Sequence, residues 1–581
     1  MSTQRLERHY QKLLELFPQR EALTTLQTLA DALYCSKRHM RTLIIQMQSH
    51  GWLAWDATPG RGHLATLVLH YSQQQLMLAH AQRLLDLNDM RGALKLLGNE
   101  KHHLATLLRG RLGHRIDDEQ QTLRIPYYRS MPNLYPGTAL RRSEVHIIKQ
   151  VFSGLTRIDE NSGQVAKDVA HHWRRLDDLH WRFFLRPGVQ FHDGTLLTSK
   201  DVVVSLLRSA RLPLFSHLSN IEAEGNLSVM ITLSQPDELL PQLLTDVAAL
   251  ILPADHQQRE NFAARPVGTG PYKVADNNEW HLTLRAFDGY FGFRSLLDEI
   301  EIITCLESPT ANELHGPLAL LSSSMSDLAY VSSQLSHFDR LTADEIELET
   351  GGYFLLCDSR SPFWQKMAHR RWIREQIDPQ IIIQNFVAEI RPLWMAAASI
   401  LPGWSHHIEA GESVSPWEGC PLPQCLRLAY HHQHWEFPMV IAEFKKRLAA
   451  SGVSLEVTEL SYEAWASGEG AFDLWLGTVN FTAPEAWNVG AWLTGMPLLT
   501  RSVAGGDQAL FENWQQQWRS GGLSSQQLAE IIIQRGWLQP LFHHWMRLQG
   551  PEQARGVHFN NLGWFDFTST WIEPENPPSE C

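Results

Sequence analysis

The chain has 581 residues, with 50 Lys+Arg against 63 Asp+Glu and 44% hydrophobic residues, so it holds several cores and is too apolar for a disordered protein. No apolar run reaches the roughly 18 residues of a membrane span, and the charged opening Met1 to Tyr10 is unlike a secretory signal, so a cytoplasmic chain without a membrane partner is expected. Residues 1–115 carry 15 Lys+Arg and 8 Asp+Glu, a balance of +7, which leaves 35 against 55, or −20, for the rest; only the first part suits a polyanion.

Leu6, Tyr10, Leu13, Leu14 and Phe17 recur at helical spacing until Pro18, which predicts a first amphipathic helix. Thr24 or Thr25 can cap a second, with Leu26, Leu29, Ala30 and Leu33 inward, followed by the break Tyr34-Cys35-Ser36. Ser36 can cap a third running to His50. There Met40, Leu43, Ile44 and Met47 form one inward stripe, and Lys37, Arg38, Arg41, Thr42, Ile45 and Gln48 lie on the opposite arc.

Gly51 ends that helix, Trp52 to Trp55 and Leu64 to Leu69 read as strands, and Pro59-Gly-Arg-Gly62 is the turn between them. Together these elements predict an α-rich winged helix-turn-helix. A helix of this width enters the major groove of double-stranded DNA, so Ser36, Lys37, Arg38, His39, Arg41 and Thr42 are the candidate DNA contacts, with Arg61 at the wing tip. A three-helix bundle with an ordinary solvated face explains the same periodicity, but the hairpin and local positive charge favour DNA. Ser72 to Leu112 reads as a helical connector, either a cover over the winged core or a dimerisation element.

Beyond Gln121, strands and helices alternate: Thr122 to Tyr128 and Trp181 to Leu185 are predicted strands, Ser143 to Phe152 and Ser199 to Leu207 predicted helices, the last capped by a serine. The runs Gln150 to Arg157, Val169 to Trp173, Trp181 to Gly194, Lys200 to Val203, Pro266-Val-Gly-Thr-Gly-Pro-Tyr272, Tyr290 to Gly292 and Leu297 to Ile300 resemble, in order, the family 5 solute-binding proteins of peptide and nickel transport. That resemblance implies a two-lobed α/β periplasmic-binding-protein-like domain (class II) over 122–581, with one lobe near 122–307 plus 481–581 and the other near 308–480. Its glycine-rich turns read as scaffold rather than ligand contacts.

With the winged helix in front, and through Cys35 to Leu43, Gly51 to Trp55, Gly60-Arg-Gly62, Ala139 to Glu144 and Gly563 to Phe567, nearly the whole chain resembles the SgrR transcriptional regulators of enteric bacteria. The resemblance implies a cytoplasmic activator of a small-RNA gene in sugar-phosphate stress. Its expected partners are DNA, a small-molecule effector such as a sugar phosphate or related metabolite, and RNA polymerase. The competing reading is a solute-binding component of a transporter, retained in the cytoplasm and not binding DNA.

The 28 histidines include His431-His-Gln-His434, which could offer two metal ligands from one strand face, but adjacent histidines rarely share an ion on regular structure; no metal and no cofactor is expected. The 21 tryptophans read as core before they read as sugar platforms. No phosphate loop, H-E-x-x-H or G-x-S-x-G is present, so an enzyme is not expected. For the effector, Arg129 just beyond the first strand of the body and Asn480 near the return between lobes are the candidate contacts, Arg129 for an anionic phosphate or else as a surface ion pair.

Overall fold

A computed structural model describes residues 3–56, 64–86, 90–97, 113–117, 120–127, 129–159, 162–279, 281–304, 346–388, 390–406, 422–432, 436–504, 507–547, 554–556, 558, 564 and 566–572. The chain divides into two compact units, Met1–Arg111 and Leu112–Cys581.

The first unit runs α1 (Thr3–Leu16), β1 (Glu21–Thr24), α2 (Leu26–Ala32), α3 (Lys37–Ser49), β2 (Leu53–Asp56), β3 (Ala65–Leu69), α4 (Gln73–Asp86) and α5 (Met90–Leu97). Caps set the helix starts: Thr25 accepts from the Thr28 amide and Ser36 from the His39 amide. Gly51, at φ +70°, ends α3 in the left-handed region that glycine adopts without strain. The core joins Leu6, Tyr10 and Leu13 of α1 to Met40, Leu43, Ile44 and Met47 of α3 and to Trp52 and Leu67. The Tyr10 hydroxyl donates to the Trp52 carbonyl at 2.8 Å and accepts from the Tyr71 amide at 2.9 Å, tying the first helix to the sheet and to the entry of α4.

One strand departs from the sequence expectation, and the connector follows the first of its two expected readings. The predicted hairpin is the order β1-β3-β2, with Glu21–Thr24 as a third, antiparallel strand on β3. In the connector, Leu76 of α4 joins the winged core and Arg83 lies 5.9 Å from the Trp52 ring centroid, so α4 covers that core. The wing turn with Arg61, and the connector leucines Leu104, Leu107 and Leu108, lie outside the described residues.

The second unit opens with β4 (Gly113–Asp117), β5 (Gln120–Tyr127) and the helix Arg142–Val151, then β6 (Thr156–Ile158), β7 (Val165–Lys167), β8 (Ala170–Arg175), β9 (His180–Leu185), the helix Ser199–Ser209, β10 (Leu218–Ala223), β11 (Ser228–Leu233), β12 (Tyr272–Asn277), β13 (His281–Ala286) and β14 (Glu299–Thr304). They build a five-stranded sheet, β12-β13-β14-β5-β4, parallel only between β14 and β5, and a four-stranded antiparallel sheet, β10-β11-β9-β8. The helix Ser199–Ser209 is entered by Thr198, not Ser199: the Asp201 carboxylate accepts from the Thr198 amide at 2.8 Å and its hydroxyl at 2.9 Å. Gly268 and Gly270 press on the end of the helix Arg142–Val151, where an added Cβ would lie 2.0 Å from the Val151 carbonyl oxygen and 2.4 Å from that of Gln150. That glycine turn is scaffold.

A second lobe follows, with β15 (Ile346–Leu348), β16 (Gly351–Cys357), β17 (Trp394–Ala396), β18 (Cys425–His431), β19 (Ser454–Leu460), β20 (Leu474–Asn480) and β21 (Leu538–Arg547) in the order β15-β21-β16-β20-β18-β19, with β17 also on β21. The expected return to the first lobe at residue 481 is corrected by this topology. After β20 the chain adds helices over 485–534, and then β21 pairs antiparallel with β16, Tyr353 facing Phe542. The helices over 485–534 touch the first lobe, where Gln515 and Arg519 donate to the Pro213 carbonyl at 2.9 and 3.1 Å. The terminal stretch rejoins its sheet: Trp564, Phe567 and Ile572 share a core with Leu123, Tyr127 and Ile300, and the Ile572 amide donates to the Gln121 side chain at 2.9 Å.

Candidate functional sites

In the first unit α3 presents its polar arc as expected. Lys37, Arg38, Arg41 and Thr42 are exposed beyond the Ser36 cap, while Met40, Leu43, Ile44 and Met47 on the opposite arc are buried. The Thr42 hydroxyl donates back to the Arg38 carbonyl at 3.1 Å. Ile45, 59% exposed, extends the same face and offers an apolar contact of the kind a thymine methyl accepts. His39 departs from the set: half-buried, its ring stands edge-on to His9 of α1 with centroids 6.2 Å apart. It supports the placement of α3 against α1 instead of joining the exposed arc.

In the second unit a cavity of about 630 Å³ lies between the two lobes. One wall comes from Arg129, Thr138 to Ser143, Phe215 and Asp246; the facing wall comes from Glu349, Tyr353, Tyr462, the end of β20 through Asn480, and Trp492. Volume and lining, aromatic with a few convergent polar groups, are those of a small-molecule site. Asn480 is therefore in the cleft, beside the Glu349 carboxylate.

Arg129 is in the cleft as well, but its fork is taken. Nη1 and Nη2 both donate to Glu144, the second at 2.8 Å, and the pair is buried. Neither sequence alternative holds in full: it is an ion pair, though not a surface one, and its guanidinium is not held open for a phosphate. Removing one member of a buried pair strands the other in a low-dielectric site. Arg129→Ala is accordingly expected to lower unfolding free energy by about 3–5 kcal/mol, read from urea midpoints of the full chain, whereas Arg129→Ala with Glu144→Leu recovers much of that loss.

The cations that bridge the cleft are Arg141 and Arg142, quoted in the sequence motif Ala139 to Glu144 but not assigned to the site. Arg141 donates to the His432 carbonyl at 3.0 Å and lies 5.1 Å from the Tyr462 ring centroid. Arg142 pairs with Glu349 at 3.0 Å, both largely buried. Behind them Glu436 is fully buried 3.8 Å from His544. Burial, reinforced by the Glu349 charge and opposed by Arg142, holds the Glu436 carboxyl well above its ordinary range; burial pushes His544 down to about 3, so it is neutral. Two adjacent arginines at the start of a helix, Arg141 as its cap and Arg142 as its first residue, are the signal that could have marked this wall.

Among the described residues no three His, Cys, Asp or Glu side chains gather as metal ligands, and no helix is long and apolar enough to cross a membrane.

Comparison with known proteins follows the division into units. Residues 5–119 match the family model of the sugar transport-related sRNA regulator N-terminus, and residues 164–387 the middle of the bacterial extracellular solute-binding proteins, family 5. The HTH-type transcriptional regulators SgrR of Pectobacterium atrosepticum and Yersinia enterocolitica are 39% and 38% identical, each over 99% of this chain and the whole of the relative. The chain belongs to the SgrR family. It is a transcriptional regulator with a solute-binding domain, and the reading as a transporter component without DNA binding is not favoured. Among solved structures, the Escherichia coli murein tripeptide binding protein MppA aligns with a TM-score of 0.61 at 16% identity, covering 79% of this chain and 99% of that one. The periplasmic binding protein DppA of Helicobacter pylori, in complex with a peptide, gives 0.60 at 16%, covering 78% and 98%. At such identity they establish the fold of the SgrR-family body and not its ligand.

Proposed function

We propose that this SgrR-family regulator is a cytoplasmic activator of a small-RNA gene. In this reading α3 docks in the major groove through Lys37, Arg38, Arg41 and Thr42, Arg61 reaches an adjacent phosphate, and a small metabolite binds between the lobes. The cavity between the two walls is the observation that carries the sensory half. Arg129 and Arg142 already hold Glu144 and Glu349, so a phosphate on the effector has to compete with a carboxylate for either fork. Recognition of a sugar or related metabolite falls mainly to ring faces and neutral polar groups, with Tyr462, Trp492 and Asn480 the principal contacts.

A gel shift tests the first half. The full chain is expected to retard the duplex upstream of its own gene, with affinity falling steeply with salt as bound counterions are released. Addition of glucose 6-phosphate, or of the unphosphorylated methyl glucoside, tests the second: one of them should raise the melting temperature of the full chain and alter the shift. A chain that retards no duplex at low salt refutes the DNA-binding role. RNA polymerase is the further partner this reading implies, reached once the regulator is on DNA.

A further inference from the structure

The turn between α2 and α3 holds a residue that the fold alone does not favour. At the end of α2 the Cys35 amide donates to the Ala30 carbonyl at 2.8 Å and the Tyr34 amide to the Asp31 carbonyl at 3.1 Å. This paired closure places the residue after the cap in the left-handed region, where glycine is the usual occupant and asparagine the next. Tyr34 sits there with φ +52°, a conformation that costs a bulky side chain steric energy.

Packing does not offset that cost. The Tyr34 side chain is 93% exposed, and among the described residues its hydroxyl makes no hydrogen bond. Its place is informative: it precedes the Ser36 cap of α3 by two residues and stands beside Lys37 and Arg38 at the end of the helix that meets bases first. Backbone strain that nothing in the free fold compensates is characteristic of binding sites.

We infer that Tyr34 is a DNA contact, its phenol hydroxyl donating to a phosphate oxygen of the strand bordering the groove that α3 enters. The inference rests on the DNA-binding role proposed above. A neutral donor on a phosphate positions the helix without reading sequence and without releasing a counterion, which separates it from every lysine and arginine of the face.

The test uses the full chain, the duplex upstream of its gene, an unrelated duplex and a salt series, with Tyr34→Phe and Tyr34→Gly. Both variants should lose roughly 10-fold in affinity, the value of one hydrogen bond to a charged group, equally on both duplexes and with an unchanged slope against salt. In Tyr34→Gly, hydrogen-exchange protection of the α2 and α3 amides should stay at or above wild type, because glycine suits the backbone. Wild-type affinity in Tyr34→Phe overturns the phosphate contact. Protection lost together with affinity in Tyr34→Gly shows a structural role and overturns it too. Failure of the wild-type chain to bind either duplex removes the DNA-binding role itself, a result distinct from both.

Discussion

Arg38→Ala combined with Arg41→Ala is expected to weaken binding of the full chain to its operator by at least about 30-fold, at about 1–3 kcal/mol per contact. The slope of log affinity against log salt should become shallower by about one for each of the two that meets a phosphate. Both side chains are exposed on α3, three residues apart, on the face beginning at the Ser36 cap. Exposed arginines off the core contribute little to folding, so the variant should unfold within about 0.5 kcal/mol of wild type. Fluorescence anisotropy with labelled duplex measures the affinity and urea unfolding the stability. Full affinity in a folded double variant would remove α3 as the reading helix and leave the wing to account for binding.

His39→Ala serves as the internal contrast. Its ring faces His9 of α1, so the loss should appear in stability and leave the salt slope alone. The sequence places His39 in the α3 segment that carries the candidate contacts; only packing against another helix distinguishes it from Arg38 and Arg41. Local pattern was sufficient for α3, because its inward stripe and Ser36 cap are features of one segment. It was insufficient for β1, whose four residues Glu21–Thr24 alternate too briefly to announce a strand and are recruited by β3 from more than 40 residues away.

The same distinction between local and distant causes explains the body. Ordered turn motifs disclosed the solute-binding fold because they follow one another along the chain, although the approach that demands a glycine at Gly268, onto the Val151 carbonyl, is itself a contact between residues more than 110 apart. The lobe boundary was not legible: β21 joins β16 across nearly 190 residues, and nothing in Leu538–Arg547 names its partner. Asn480 lines the cleft because β20 ends there, whereas the neutralisation of Arg129 depends on Glu144, in the first turn of a helix that only the tertiary fold sets against it. Arg141 and Arg142 lay in plain view in the motif. Their role emerges from what stands opposite, namely Tyr462, His432 and Glu349 of the other lobe.

Those bridging contacts lead to the expectation with the largest effect: a truncation to residues 1–115 should bind operator DNA yet lose the whole metabolite response. The first unit closes its own core between Leu6 and Leu76, so the truncation retains what it needs to fold. A metabolite can regulate only by preferring one of two conformations, and equal affinity for both shifts nothing. In the body, the two conformations are expected to differ in whether Arg142 reaches Glu349 and Arg141 reaches Tyr462, contacts made between the two walls of the cavity. An effector seated there would add its own contacts to the closed state and bias it, and the expected response requires that bias to reach DNA binding or the DNA-bound assembly. Reciprocity follows if the coupling acts on DNA affinity: operator duplex must then change effector affinity by the same factor. A reporter driven by the operator, with full-length chain or the 1–115 truncation, with and without sugar-phosphate accumulation, provides the comparison. Full-length chain should respond and the truncation should hold one constant level; an equal response in both would place the sensor outside the solute-binding body.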